Sequence, residues 1–534
     1  MSETLRSSGK VSLAVAGSRV LGLVRMSLLS RLLGAGALAD VFSVAFRIPN
    51  LLRDLLAEGA LSSAFVPTFT ATAINQDDAA AHRLANLALG GLLVITGSLT
   101  ALGILYAEFV VRAITDGWDV DKVARTVTLT RIMMPLLSLM SLGAVWMGML
   151  NARRRFLVPA LAPALFNVVS IAVGAALIIL GVAPERALLA WSVGTLAAGV
   201  VQALSQIPAL WRQGYRPWPR LRGLLSDPGV RRIARLMLPA IVGVAAIQVN
   251  VFVNTRFAAS LGDGPVAQLE YAFRIFFLPI GMFGVALGTV TTTTVSEEAA
   301  RDDRVGLVAR ATESVQAVWL LTAASAVGLC LLAEPIVALL YEGGRFTPEH
   351  TRAVATILQV YCAGLIPYSM VKVVAPAFYS VDRPRVPLLA SVCAVAANVT
   401  FNALTYRALG APGLALGTSL AALVNVTILR LAFARVVGPM RTRPRELLWL
   451  LLACVALGAV VWLGDQATAR LIARLGAVAP SRAIELVARL VALALIIASG
   501  FLVYTALLRR VGYPGAAQLA RLPGALVRRL RSRT

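Results

Sequence analysis

Charge is scarce in this sequence. Of its 534 residues 14% are Asp, Glu, Lys or Arg, while 58% are hydrophobic. The mean hydropathy of +0.79 excludes a soluble globular domain of this size. Cysteine is scarce too. Cys330, Cys362, Cys393 and Cys454 lie far apart in apolar stretches without Cys-x-x-Cys spacing, so they read as small buried hydrophobes and not as disulfides or metal ligands. The only histidines, His82 and His350, fall in segments read as loops with no triad or metal spacing around them, and solvated side chains are expected there. No nucleophile with a positioned base is visible, which argues against an enzyme and against a catalytic residue of any kind. No small-residue cleavage pattern follows the first apolar run, which itself carries Arg19 and Arg25, so no removable signal peptide is read.

What the chain does have is a succession of apolar stretches, each long enough to cross a hydrocarbon core of about 30 Å. They are read near 11–33, 40–69, 85–112, 128–150, 157–182, 187–211, 233–258, 266–296, 314–341, 351–380, 385–407, 411–434, 446–466 and 487–508. The expected fold is therefore an all-α polytopic membrane protein of about fourteen transmembrane helices. A formal net charge of +24 would point to nucleic acid in a soluble protein. Here the arginines gather between apolar runs, as at Arg153 to Arg155, Arg231 and Arg232, and Arg441 to Arg445, and again in the tail. The positive-inside rule accounts for them, so membrane lipid is an expected partner and nucleic acid is not. The bias puts both termini in the cytoplasm, with Arg470, Arg474 and Arg482 as an exception on the opposite side.

A faint repeat relates two halves. Pro159, Asn167 and Gly194-Thr195-Leu196-Ala197-Ala198 are echoed by Pro387, Asn398 and Gly417-Thr418-Ser419-Leu420-Ala421-Ala422. Two units of six helices with the same orientation, a parallel pseudo-repeat, would follow. The division expected is a lobe over 1–211, a basic cytoplasmic loop over 212–232, a second lobe over 233–434, two added helices over 446–508 and a basic tail over 509–534.

The densest chemistry lies in the first two spans, where Arg19, Arg25, Asp40, Arg47, Arg53, Asp54 and Glu58 interrupt apolar sequence. A charge at a helix centre costs about 2.5 to 3.5 kcal/mol on insertion scales, so these groups are expected to face a wet cavity and not lipid. Arg274 is a matching cation in the second half. Arg19 and Arg25, six residues apart, stand about 120° from one another on a straight helix. Both line one lumen only if it is wide or the helix bends, and Gly17 and Gly22 permit a bend. Guanidinium forks match phosphate oxygens and keep their charge, which suits a pyrophosphate and argues against a cationic drug. A blander account has the same arginines paired with Asp40, Asp54, Glu58 or Glu270, holding helices together. Pro67, Pro159, Pro279 and Pro376 read equally as tolerated kinks or as hinges.

Ser18-Arg19-Val20-Leu21-Gly22-Leu23-Val24-Arg25, Gly34-Ala35-Gly36, Ala39-Asp40, Phe46-Arg47-Ile48-Pro49-Asn50-Leu51-Leu52-Arg53, Ala57-Glu58-Gly59-Ala60 and Ala64-Phe65-Val66-Pro67 together resemble the N-terminal signature of the MurJ/MviN lipid II flippases. Asn151 to Pro163, Tyr271 to Pro279, Gly284 to Thr289, Tyr341 to Thr347 and Val371 to Tyr379 extend the resemblance over essentially the whole chain. It implies a member of the multidrug/oligosaccharidyl-lipid/polysaccharide exporter superfamily, with two six-helix lobes around a central cavity and a groove of two further helices for a polyprenyl tail. It implies that Arg19, Arg25, Arg53 and Arg274 bind the substrate pyrophosphate and head group. Asp40 and Glu58 would be their acidic partners, with Ser18 and Asn50 as supporting polar residues. The substrate implied is lipid II, an undecaprenyl-pyrophosphate-linked disaccharide pentapeptide, carried across the bacterial inner membrane by alternating access of a monomer that has no cofactor.

Three departures qualify this. Met26 stands where relatives commonly carry an acid. Asn254 and Asn402, beside Asn398 and Thr418, stand where some relatives hold sodium with carboxylates; they would make a weak ion site, so membrane potential or protons are expected to drive transport, with a monovalent cation as the alternative. Asp382-Arg383-Pro384-Arg385-Val386-Pro387 varies a pattern read as a cytoplasmic hinge. The other readings of the whole chain are an exporter of another polyprenyl-linked oligosaccharide and a non-transporting membrane scaffold.

Overall fold

In hydrocarbon a backbone must satisfy its own N–H and C=O groups, and an apolar chain does so by forming helices. The computed structural model describes residues 3–56, 60–301, 303–478 and 482–519. Among them helix dominates, no strand forms, and one isolated bridge joins Gly343 to Phe346. Contacts divide the chain into two units, Met1–Ala267 with Leu340–His350, and Gln268–Leu339 with Thr351–Thr534.

The first unit holds α1 (Glu3–Leu33), α2 (Ala37–Leu56), α3 (Ala60–Asn75), α4 (Asp78–Leu105), α5 (Ala107–Ile114), α6 (Val120–Met133), α7 (Leu136–Ala152), α8 (Leu157–Ile179), α9 (Pro184–Leu204), α10 (Ile207–Trp211) and α11 (Pro228–Ala259). Helix starts carry acids as N-caps: Asp77 accepts from the Ala80 N–H, Asp119 from Lys122 and Asp227 from Val230. α1 ends at Gly34, whose φ of +72° is the left-handed cap that glycine adopts freely. Helix α1 packs on α8, α2 on α6, and α3 on α7 and α11. The core gathers Phe65, Phe69, Leu84, Leu89, Val145 and Met149. Because lipid tails are as apolar as leucine, such helices associate through close packing, and small residues at the crossings permit it. Gly174 of α8 is one, for a Cβ there would come within 2.5 Å of the Trp191 ring on α9. Buried Thr126, Thr130 and Thr195 return their hydroxyls to carbonyls four residues back, which satisfies them without a partner helix.

A short segment from much later in the chain belongs to this unit. The Arg345 N–H donates to the Arg31 carbonyl at 3.0 Å and the Ser30 hydroxyl to the Tyr341 carbonyl at 3.0 Å. The backbones approach so closely that a Cβ on Gly344 would lie 2.4 Å from the Arg31 oxygen. That contact, with the positive φ of Gly343 and Gly344, is the physical content of the Tyr341 to Thr347 motif.

Helix α12 (Pro265–Pro279) leads into the second unit, followed by a π-helical turn Ile280–Gly284, α13 (Val285–Ala300), α14 (Arg304–Leu331), α15 (Ala333–Tyr341), α16 (Pro348–Cys362), α17 (Leu365–Ser380), α18 (Arg385–Val436), α19 (Pro444–Val478) and α20 (Arg482–Arg510). Pro279 has no N–H to return to the preceding turn, and the π turn absorbs the break directly after it. Pro67, Pro163 and Pro376 instead sit inside helices. The 52 residues of α18 are two helices meeting at Gly410, whose φ of 60° and ψ of −150° are not helical. Trp319, Val373, Phe378, Leu429, Phe433 and Tyr504 centre the core, on which α19 and α20 pack as a pair.

Among the described residues nine helices are long and apolar enough to cross a membrane, or ten if α16 and α17, bent by 48°, form one span. The difference from fourteen falls on α1, on α2 with α3, on α11, and on α18, which counts once although it holds two of the expected spans.

Candidate functional site

Asp40, in the first turn of α2, is fully buried. Its carboxylate accepts the N–H groups of Gly264 at 2.6 Å and Ala267 at 2.8 Å, so it caps the N-terminus of α12 from another helix, where unsatisfied N–H groups and the helix dipole favour an anion. Lys122 Nζ lies 3.3 Å from the same carboxylate and 2.6 Å from Asp263. The ammonium also stands 3.7 Å from the centroid of the Trp118 ring, whose Nε1 donates to the Ala259 carbonyl at 2.9 Å. One buried cluster thus ties α2, the start of α6 and the connection from α11 to α12. The acid expected beside an arginine is paired with a lysine.

The arginines of the first unit differ from one another. Arg19 is exposed. Arg25 is 6% exposed, with its guanidinium carbon 5.4 Å from the Phe166 ring centroid on α8. The Ser18 carbonyl accepts from Asn167 Nδ2 at 3.1 Å, pinning this stretch of α1 to α8. Arg47 donates to the Thr255 hydroxyl at 2.7 Å. Arg53 gives two hydrogen bonds to its neighbour Asp54, at 3.1 and 2.7 Å, and Gln248 donates to the other oxygen of Asp54 at 3.3 Å. Asn50 is half-buried on the same helix. Glu58 lies outside the described residues.

In the second unit Arg274 pairs with Glu270 one turn earlier, at 2.8 Å. Phe273 and Phe276 of the same helix meet the Tyr361 ring with centroids 5.6 and 5.2 Å away. Among the amides of the expected ion site, Asn402 donates to the Asn398 side-chain carbonyl oxygen at 2.8 Å, both fully buried in α18. Gly417, across the Gly410 break, leaves the room they occupy, since a Cβ there would sit 2.0 Å from Asn402 Oδ1. Thr418 returns its hydroxyl to Leu414 at 3.1 Å. Asn254 lies in α11 of the first unit. The histidines are more engaged than solvated loop residues: His82 faces Tyr215 with ring centroids 5.0 Å apart, and His350 accepts the Thr347 N–H at 3.2 Å beside the Phe346 ring.

The sequence profile described as Lipid II flippase MurJ matches residues 29–472. The chain belongs to the MurJ family. A probable lipid II flippase MurJ of Rhizobium meliloti is 36% identical over 423 residues, covering 78% of each chain. That of Bdellovibrio bacteriovorus is 34% identical over 439 residues, covering 80% of this chain and 81% of the relative. The lipid II flippase MurJ of Burkholderia cenocepacia is 35% identical over 426 residues, with 78% and 81% covered. Among solved structures, a lipid II flippase MurJ in an inward closed conformation superposes with a TM-score of 0.76 at 21% identity, over 94% of this chain and 99% of that one. An inward-facing transporter of the MATE family, in the MOP superfamily, gives 0.66 at 17% identity, over 78% and 93%. These likenesses show the fold. MurJ is a family of membrane flippases, so the chain is a polytopic transporter and not a catalytic enzyme.

Lys122 does not stand out in the sequence, since it falls between the apolar stretches at 85–112 and 128–150. A signal was nonetheless present. Lys10, Lys122 and Lys372 are the only lysines in a chain otherwise armed with arginine. A lysine among so many arginines marks a place where a compact ammonium, and not a planar fork, fits the space.

Proposed function

We propose that this chain moves lipid II from the cytoplasmic to the outer face of the bacterial inner membrane, with both termini in the cytoplasm. Its place in the MurJ family supports the substrate, since relatives at 34 to 36% identity carry that name. The observation that carries the mechanism is Arg25, a guanidinium only 6% exposed where α1 packs on α8. A permanently charged fork in such a place is costly, and an anionic substrate that needs it is a reason for its presence. Arg19, Arg53 and Arg274 complete the set that holds the pyrophosphate and head group as the site opens to one face and then the other. The polyprenyl tail stays in lipid beside α19 and α20, whose Leu451, Val455, Leu463, Val487, Leu490 and Leu495 are exposed. Membrane potential or a monovalent cation drives the cycle.

The test is a bacterium depleted of its own lipid II flippase and expressing this chain. A membrane-impermeant enzyme that cleaves lipid II should reach it from outside with the wild type and not with Arg25→Ala. Full accessibility with a stably inserted Arg25→Ala would overturn the arginine mechanism. Inaccessible lipid II with the inserted wild type would move the reading to another polyprenyl-linked glycan.

A further inference from the structure

A cavity of about 130 Å³ lies inside the first unit, apart from the buried Asp40 cluster. It is far larger than the roughly 10–15 Å³ that one water needs. Arg53 of α2 borders it, as do two carboxamides, Gln202 near the end of α9 and Gln206 just beyond it. Both glutamine side chains line the same cavity.

The two amides are unevenly satisfied. Gln206 is 3% exposed and donates its Nε2 to the Gly143 carbonyl at 3.2 Å, but its Oε1 is buried with no hydrogen-bond partner. A buried carbonyl oxygen in that state is costly, and a bound donor group would offset that cost. Gln202 is half-buried, and its carboxamide makes no hydrogen bond within the protein among the described residues. Pro159 and Pro163 of α8 form part of its wall. Pro163 has no N–H to give the Pro159 carbonyl four residues back, which adds an acceptor to that wall. Met140 and Met147 fill the remainder with adaptable apolar surface.

A guanidinium that favours anions, beside two carboxamides that each offer both a donor and an acceptor, is the complement of a secondary amide attached to an anionic group. We infer that this cavity receives an amide-bearing part of the head group, an acylamino or peptide unit, next to the phosphate held by Arg53. The inference rests on the transport reading above and adds a subsite to it. Phosphate recognition alone would not call for Gln202 or Gln206.

The experiment measures binding to the purified full chain in lipid nanodiscs, using two probes: a short-chain lipid II and the same prenyl pyrophosphate without sugar or peptide. Gln202→Leu removes no hydrogen bond from the fold. It is expected to weaken binding of short-chain lipid II about three- to tenfold, the loss of one neutral hydrogen bond, and to leave prenyl pyrophosphate unchanged. Gln206→Leu is the second variant, with the same selectivity expected and its fold checked by thermal unfolding. Arg53→Gln should weaken both probes. Equal affinity of Gln202→Leu and wild type for short-chain lipid II would overturn the subsite, as would an equal loss for both probes. A wild type that binds neither probe would overturn the transport reading on which the subsite rests.

Discussion

Asp40 and Asn402 solve the same problem, a polar group fully buried in a membrane helix, in opposite ways. Asp40 keeps a carboxylate and surrounds it with two backbone N–H groups and the Lys122 ammonium. Asn402 keeps a neutral amide and shares a hydrogen bond with Asn398 one turn away. The first arrangement ties three distant stretches of chain together. The second is local and depends on a glycine, Gly417, to make room. A charged hub holds much structure and fails badly when one member is removed, whereas an amide pair holds little and is sensitive mainly to crowding.

Lys122→Met should show the largest effect. It strands the buried Asp40 carboxylate, and about 3–5 kcal/mol of stability should be lost in denaturant unfolding of the solubilised protein. Adding Asp40→Asn to Lys122→Met should recover most of that loss, because the uncompensated charge is then gone. A Lys122→Met protein as stable as wild type would erase the contrast between the two regions. Gly417→Ala comes next. Its Cβ would lie 2.0 Å from Asn402 Oδ1, and overpacking of this kind costs about 1–3 kcal/mol. Asn402→Ser should relieve it, and thermal unfolding of the single and double variants would show whether the amide or the backbone is in the way.

Trp118→Phe sharpens the comparison further. The ring beneath Lys122 remains and only the Nε1 bond to Ala259 is lost, for about 0.5–1.5 kcal/mol. The smallest effect expected is at the Glu485 to Arg489 pair of α20, a one-turn ion pair with both side chains partly exposed. Arg489→Gln should move the unfolding midpoint by no more than the roughly 0.2–0.5 kcal/mol of such pairs. A larger change there would mean that local charge pairs in this protein do more than the hub comparison allows.

The helical, membrane-spanning nature of the chain was legible because it rests on run length and hydropathy, which are local. So was the break in α18, which lies at Gly410, between the apolar stretches at 385–407 and 411–434. Of the candidate site, the positions of the arginines in apolar sequence were plain, and so were their near neighbours: Arg53 with Asp54 and Arg274 with Glu270 are pairs one or four residues apart. The partners of Asp40 were not legible. Lys122, Gly264 and Ala267 are distant in sequence, and only the fold brings them to one carboxylate. The two glutamines were hidden for a related reason, since nothing in their spacing says that Arg53, about 150 residues earlier, lines the same cavity.

The most direct test of the account is translocation of fluorescent lipid II in vesicles reconstituted with the purified chain, comparing wild type, Arg25→Lys and Arg25→Gln. If a guanidinium fork holds the pyrophosphate, wild type should be fast, Arg25→Lys should keep a reduced rate through its remaining charge, and Arg25→Gln should fall to the rate of empty vesicles. An Arg25→Gln protein that moves lipid II at the wild-type rate would contradict it.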